Sequence, residues 1–167
     1  YPSLEKGTID AAEWVAPYDD LRLGFAKVAK YYYYPGFWEG GAQLSIYVNA
    51  RKFAELPKEY QAILENACAF ANAEMQARYD ARNPHALKQL IAAGTQLRPF
   101  PNDVMAAAYK VTNELYDELA AKNPKFKKIY DHWKKFRDDQ LQWFAVAENR
   151  FDNFMQAARH GSARARK

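Results

Sequence analysis

Two short strings in this sequence set an acid beside aromatic rings outside any regular periodicity. In Gly7-Thr8-Ile9-Asp10-Ala11-Ala12-Glu13-Trp14-Val15, a tight glycine turn and a stub of strand lead to Glu13 and Trp14. In Pro35-Gly36-Phe37-Trp38-Glu39-Gly40-Gly41, two aromatics precede Glu39 on a glycine-rich loop. The plainest reading of the first pair is a surface acid and a core indole. The two strings together allow more. Carboxylate and carbonyl oxygens are the ligands hard cations prefer, and aromatic side chains wall small organic ligands. In open α/β sheets, ligands collect beyond the carboxyl ends of strands. Two carboxylates with aromatic walls therefore suit a small cation and a small organic anion that the cation bridges.

Other chemistry finds little support. His85, His132 and His160 stand far apart, and none sits in a His-Glu-x-x-His frame. Cys68 lies among alanines in a helical stretch and reads as a buried, inert thiol. No Gly-x-Ser-x-Gly, phosphate-binding glycine loop or zinc spacing occurs. Catalysis by this chain is not expected. Lys125, Lys127, Lys128, Lys134 and Lys135 raise the question of nucleic acid, but Asp131, Asp138, Asp139 and Glu148 interleave with them. A solvated helix face explains that mixture better than a nucleic-acid partner.

The elements that must position these residues begin irregularly. Tyr1 to Gly7 reads as the last turn of a helix capped by Gly7. A chain opening there is expected to have lost what preceded it; the alternative expectation is a mature chain cut after a signal peptide. Thr8-Ile9-Asp10 is expected as a very short strand, and Pro17 as the start of a short helix. Tyr31–Tyr34 and Leu44–Val48 are the expected strands, the latter bounded by Asn49. From Pro57 the chain is nearly all helix. Tyr60, Ile63, Leu64, Ala67, Ala71, Met75 and Tyr79 share one face. Asn83-Pro84 is expected to restart the helix as cap and first residue, and Gly94 to end it. A strand at 95–100 leads to a helix from Asp103 to Lys122 with Val104, Ala108, Val111, Leu115 and Leu119 as its core stripe.

Asn123-Pro124 repeats the cap signal. Apolar residues then recur in steps of three and four from Phe126 to Met155. One helix over that range would span roughly 48 Å, longer than the about 30–40 Å breadth of a domain of this size. It must lie across something else, either another domain or a partner chain. His160 to Lys167 is expected to be a frayed basic tail or a non-native extension.

Composition agrees with a folded unit. Of 167 residues, 49% are apolar and 26% charged, so a core can form and disorder is not expected. The single cysteine excludes an internal disulfide scaffold. No apolar run approaches the ~20 residues of a membrane span. The net charge of +4 permits anionic partners without demanding them. Few short strands among many helices argue for an α/β unit with a small sheet.

At Lys6-Gly7-Thr8-Ile9-Asp10-Ala11-Ala12-Glu13-Trp14 the sequence resembles the "KGxxDGxE" signature of the solute-binding proteins of TRAP (tripartite ATP-independent periplasmic) transporters. Val28-Ala29-Lys30-Tyr31 and Lys52-Phe53-Ala54-Glu55-Leu56-Pro57 extend the likeness. Tyr33-Tyr34-Pro35-Gly36-Phe37-Trp38-Glu39 is similar to the branch that binds 2-oxo acids and related carboxylates such as pyruvate or lactate. Ala11 departs from the family's commoner glycine.

The resemblance implies a periplasmic-binding-protein fold of two α/β lobes, of which this chain is the C-terminal portion. Residues 1–122 would be C-terminal-lobe and hinge segments, 123–156 the long C-terminal helix, and 157–167 a basic tail. It implies a Na⁺ or Ca²⁺ bridging protein and ligand, with oxygens from Glu13, Glu39 and the Trp14 carbonyl. The rings of Trp14, Phe37 and Trp38 would wall the ligand, with Tyr33 and Gln43 as weaker contacts. It further implies a small carboxylate ligand, delivery to TRAP membrane subunits, and a homodimer through the long helix. The competing expectation is a non-catalytic helical oligomerisation or structural module.

Overall fold

A computed structural model describes residues 1–38 and 40–164, with side chains as far as Arg159. Contacts gather into two compact units, Tyr1–Ala108 and Tyr109–Lys167.

In the first unit, α1 (Pro2–Glu5) ends as expected at Gly7, whose φ of 67° is the left-handed value glycine adopts freely. The Gly7 amide donates to the Leu4 carbonyl and the Thr8 amide to the Ser3 carbonyl, at 3.1 and 2.8 Å. This cap explains why the expected strand at Thr8–Asp10 does not form. The Thr8 and Ile9 amides both turn back to Ser3 and cannot serve a ladder.

Pro17 opens α2 (Pro17–Leu23), followed by a 3-10 turn at Phe25–Lys27 and strand β1 (Tyr31–Tyr34). Next come α3 (Ala50–Ala54), α4 (Lys58–Ala92) and β2 (Gln96–Pro99). β1 and β2 pair in parallel with Tyr31 opposite Gln96 and Tyr34 opposite Pro99. A parallel pair needs a long crossover, which α3 and α4 supply. The expected strand at 44–48 does not form: the segment has no regular structure and joins no ladder among the described residues. Its Tyr47 is 93% exposed, since an isolated segment without a pairing partner does not hold as a strand.

α4 is one helix of 35 residues, not two. Pro84 lies inside it, at a cost of about 3 kcal/mol for the missing amide bond and the ring's crowding of the preceding turn. Asn83 is therefore not a cap. Its side-chain oxygen instead accepts the Tyr18 amide of α2 at 3.1 Å. The Tyr79 hydroxyl donates to Asp19 at 2.7 Å on the same side. Tyr79, Asn83, Ala86 and Leu90 follow steps of four, three and four, which makes this the buried face; Leu90 is 1% exposed. The expected face fails nearer the N-terminus, where Tyr60 and Ile63 are exposed. Gly94, with φ 99°, ends the helix as expected.

The boundary between the units falls within α5 (Asn102–Lys122). Its expected core stripe is largely open, with Val104, Val111, Leu115 and Leu119 all exposed. In the second unit Asn123 caps α6 (Pro124–Val146), accepting the Lys125 and Phe126 amides at 3.0 and 3.1 Å. Tyr130 is buried in an aromatic cluster with Tyr116, Phe126 and Trp133, at ring separations of 5.1, 5.6 and 5.8 Å.

The expected single helix from Pro124 to Met155 is two, because the backbone breaks at Ala147 (φ −86°, ψ −108°) before α7 (Glu148–Arg164). α6 alone is only roughly 35 Å long. Its apolar positions and those of α7 are mostly uncovered: Ile129, Phe136, Leu141, Phe144, Phe151 and Phe154 are all exposed. On α6, Lys127 and Lys135 pair with Asp131 and Asp139 one turn later, both at 2.6 Å. The tail expected over 157–167 is helical as far as Arg164, within α7; the side chains from His160 and residues 165–167 lie outside the described residues.

Candidate functional site

The first unit encloses a cavity of about 680 Å³. Its walls are the irregular segment 10–16, the start of α2, strand β1, the loop after it, and Thr95 and Phe100 at either end of β2. Segment 10–16 has no regular structure, since the α1 cap stops one helix and Pro17 starts the next. That leaves the Glu13 carboxylate and the Trp14 carbonyl outside any helical or sheet ladder.

The structure brings Glu13, Trp14, Tyr33 and Trp38 onto this cavity. Their aromatic wall has a centre the sequence reading did not identify, Phe100. Tyr33, Phe37 and Trp38 all meet its ring, at 5.2, 5.5 and 6.4 Å between centroids. Phe37 does not line the cavity; it stands edge-on behind Trp38 at 4.5 Å. Gln43 does not line it either, and its side-chain amide donates to the adjacent Leu44 carbonyl at 3.1 Å. Glu39 lies outside the described residues. A cis peptide at Tyr34-Pro35 turns the chain from β1 into the loop that carries Phe37 and Trp38.

A second acid faces the same space. Asp20, in the first turn of α2, is 7% exposed and accepts a 2.5 Å hydrogen bond from the Tyr32 hydroxyl. Burial raises its pKa, the Tyr32 hydrogen bond opposes that rise, and the charges of Asp19 and Glu13 add to it. The Tyr32 phenol is pushed well above its ordinary range by burial and by donating to Asp20. Tyr32 therefore keeps its proton and Asp20 is the acceptor. The available signal was strand alternation, which turns Tyr32 inward while Tyr31 and Tyr33 are exposed. The Thr95 hydroxyl, also on the cavity wall, is buried without a partner among the described residues.

The donors present are oxygens, which suits a hard cation. Among the described residues no three His, Cys, Asp or Glu side chains gather as a metal cluster. Glu13 and the Trp14 carbonyl can thus supply part of a coordination shell. Among the described residues, the charged ones on the cavity wall are three acids (Asp10, Glu13, Asp20) and one base (Lys30).

The family model for bacterial extracellular solute-binding proteins, family 7, matches residues 1–123. The chain belongs to that family. This family 7 chain is 45% identical over 158 residues to a monocarboxylate 2-oxoacid-binding periplasmic protein of Nostoc sp., covering 95% of itself and 43% of that relative. It superposes at a TM-score of 0.89, with 53% identity, on a TRAP transporter solute-binding protein from Bordetella bronchiseptica that holds copurified calcium and picolinate. That match covers 99% of this chain and 48% of the other. A TRAP periplasmic solute-binding protein from Pseudoalteromonas atlantica, with bound sodium and pyruvate, matches at 0.77 and 34% identity over 90% of this chain and 46% of its own. The family 7 chain therefore spans under half the length of these relatives. Its fold is theirs, a helix-rich α/β arrangement with few short strands, and the expected resemblance to TRAP solute-binding proteins holds.

Proposed function

We propose that this chain forms one wall of the ligand site in a two-lobed periplasmic binding protein, which captures a small 2-oxo monocarboxylate and delivers it to the membrane subunits of a TRAP transporter. Residues 1–122 supply C-terminal-lobe and hinge segments, 123–156 a helical region that crosses between lobes or onto a partner subunit, and 157–167 a basic tail. The work is binding, not catalysis.

The observation that carries this reading is the cavity of about 680 Å³ on which Glu13, Trp14, Tyr33 and Trp38 converge, in a chain of this family. Relatives hold sodium with pyruvate and calcium with picolinate, and the oxygen donors on this cavity suit both ions. Glu13, the Trp14 carbonyl and Glu39 are the donors we assign to a bridging Na⁺ or Ca²⁺. Such an ion neutralises the ligand's carboxylate in a poorly solvated pocket, where an unpaired charge is costly. The Trp14 and Trp38 rings exclude water from the ligand, Tyr33 borders it, and Phe37 with Phe100 hold Trp38 in place. Gln43 is the weakest assignment, since its amide is engaged locally. Closure of the second lobe completes the site.

Calorimetry on the full-length protein tests this. Pyruvate binding that depends on Na⁺ or Ca²⁺ is the expected result. Glu39→Ala is expected to weaken it by about tenfold or more, or at least ~1.4 kcal/mol. Unchanged affinity would remove Glu39 from the site. The uncovered apolar positions of α6 and α7 support a homodimer through this region. They equally favour the second reading, a structural oligomerisation module. A stable dimer that ignores every carboxylate tested would decide for the module.

A further inference from the structure

We infer that Asp20 is a specificity-determining residue that holds this site to ligands with a single carboxylate. The inference rests on the carboxylate-binding reading above.

Asp20 is almost fully buried and lies on the cavity wall. Its carboxylate accepts a hydrogen bond from the Tyr32 hydroxyl at 2.5 Å, and Tyr32 is carried by the paired strand β1. A buried, hydrogen-bonded carboxylate is a charge fixed in position. It acts across a low-dielectric pocket without touching the ligand, since Coulomb interactions fall slowly with distance there. The charge of Glu13 already reaches Asp20 across this wall.

The charge inventory gives the direction. Asp10, Glu13 and Asp20 face Lys30 as the one basic residue on the cavity wall among the described residues. A cation held near Glu13 offsets one ligand carboxylate. A second carboxylate on the same ligand would meet Asp20, on a wall where three acids outnumber Lys30 among the described residues. Specificity is a difference of affinities, and a like charge set against the wrong ligand is an effective way to create it.

Pyruvate and freshly prepared oxaloacetate, which differ by one carboxylate, are the matched probes, used with the full-length protein in the presence of Na⁺ or Ca²⁺. The readout is the ratio of their dissociation constants. Asp20→Asn keeps the shape and an oxygen acceptor for Tyr32 but removes the charge. Any weakening of cation binding affects both probes alike and cancels in the ratio. Wild type is expected to favour pyruvate strongly, and Asp20→Asn to shrink that preference by about tenfold or more, the size of effect that removing a like-charge clash gives. Asp20→Glu keeps the charge on this wall, so its ratio should stay within about threefold of wild type. The inference is overturned if Asp20→Asn leaves the ratio unchanged, or if Asp20→Glu moves it as far. If wild type binds no pyruvate at all, the function proposed above fails instead.

Discussion

At the scale of single residues, Asp20 and Tyr18 show how local surroundings set a side chain's chemistry. Burial lifts the Asp20 pKa in the folded state above its unfolded value, ordinarily 3.8. A group raised on folding stabilises the fold fully below the unfolded value, and that contribution is lost as pH climbs through the raised one. Asp20→Asn should therefore gain thermal stability relative to wild type as pH rises from about 4 toward neutrality. Parallel melting curves would disprove it. Tyr18 is the opposite case. Its hydroxyl accepts Arg22 and Arg82 N–H groups at 2.7 and 3.0 Å, and the Arg22 hydrogen bond leads in lowering its pKa. Arg22→Leu should move Tyr18 ionisation to higher pH, as followed by NMR of labelled tyrosine. Thr95 offers a stability test: its buried hydroxyl has no partner among the described residues, so Thr95→Val should be neutral or stabilising by up to ~1 kcal/mol in denaturant melts.

Among the elements, α4 carries the most information. Its C-terminal turns are the buried ones, and they hold α2 through Asn83 and Tyr79. That bracing keeps the start of α2, and hence Asp20, on the cavity wall. Gly94 ends α4 with a left-handed φ of 99° and passes the chain directly into β2. Gly94→Ala is expected to cost about 1 kcal/mol in chemical denaturation, because an L side chain resists that backbone conformation. No loss would mean the turn can relax without moving β2. The sequence was legible at its strongest local signals: the caps at Gly7, Gly94 and Asn123, and the strand at Tyr31–Tyr34. It misled where a local signal met a tertiary one, as at Asn83-Pro84, where cap chemistry lost to burial of the face running through Ala86 and Leu90.

Across the whole molecule, the imbalance between apolar composition and burial stands out. Few side chains are buried, while α6 and α7 leave a long series of rings and aliphatic groups in water; Phe154, for example, is 67% exposed. Exposed apolar surface of that extent is what the proposed dimer would cover. On that proposal, Phe151→Asp together with Phe154→Asp is expected to turn a full-length dimer into a monomer in light scattering, with ligand affinity preserved. A dimer surviving both changes would move the interface elsewhere.

The acid-and-aromatic strings, the helix caps and the absence of catalytic motifs were determined by sequence alone, because each depends on neighbours within a few positions. Glu13, Trp14 and Trp38 could be named on that basis, and Tyr33 through the family resemblance. Only the tertiary structure decided that Phe100, some sixty residues from Trp38, is the ring that Tyr33, Phe37 and Trp38 gather around. It also decided that Asp20 is buried against Tyr32, that α4 continues through Pro84, and that the last helix breaks at Ala147. Each of these depends on which distant surfaces meet, and a pattern read along the chain carries no distance between its parts.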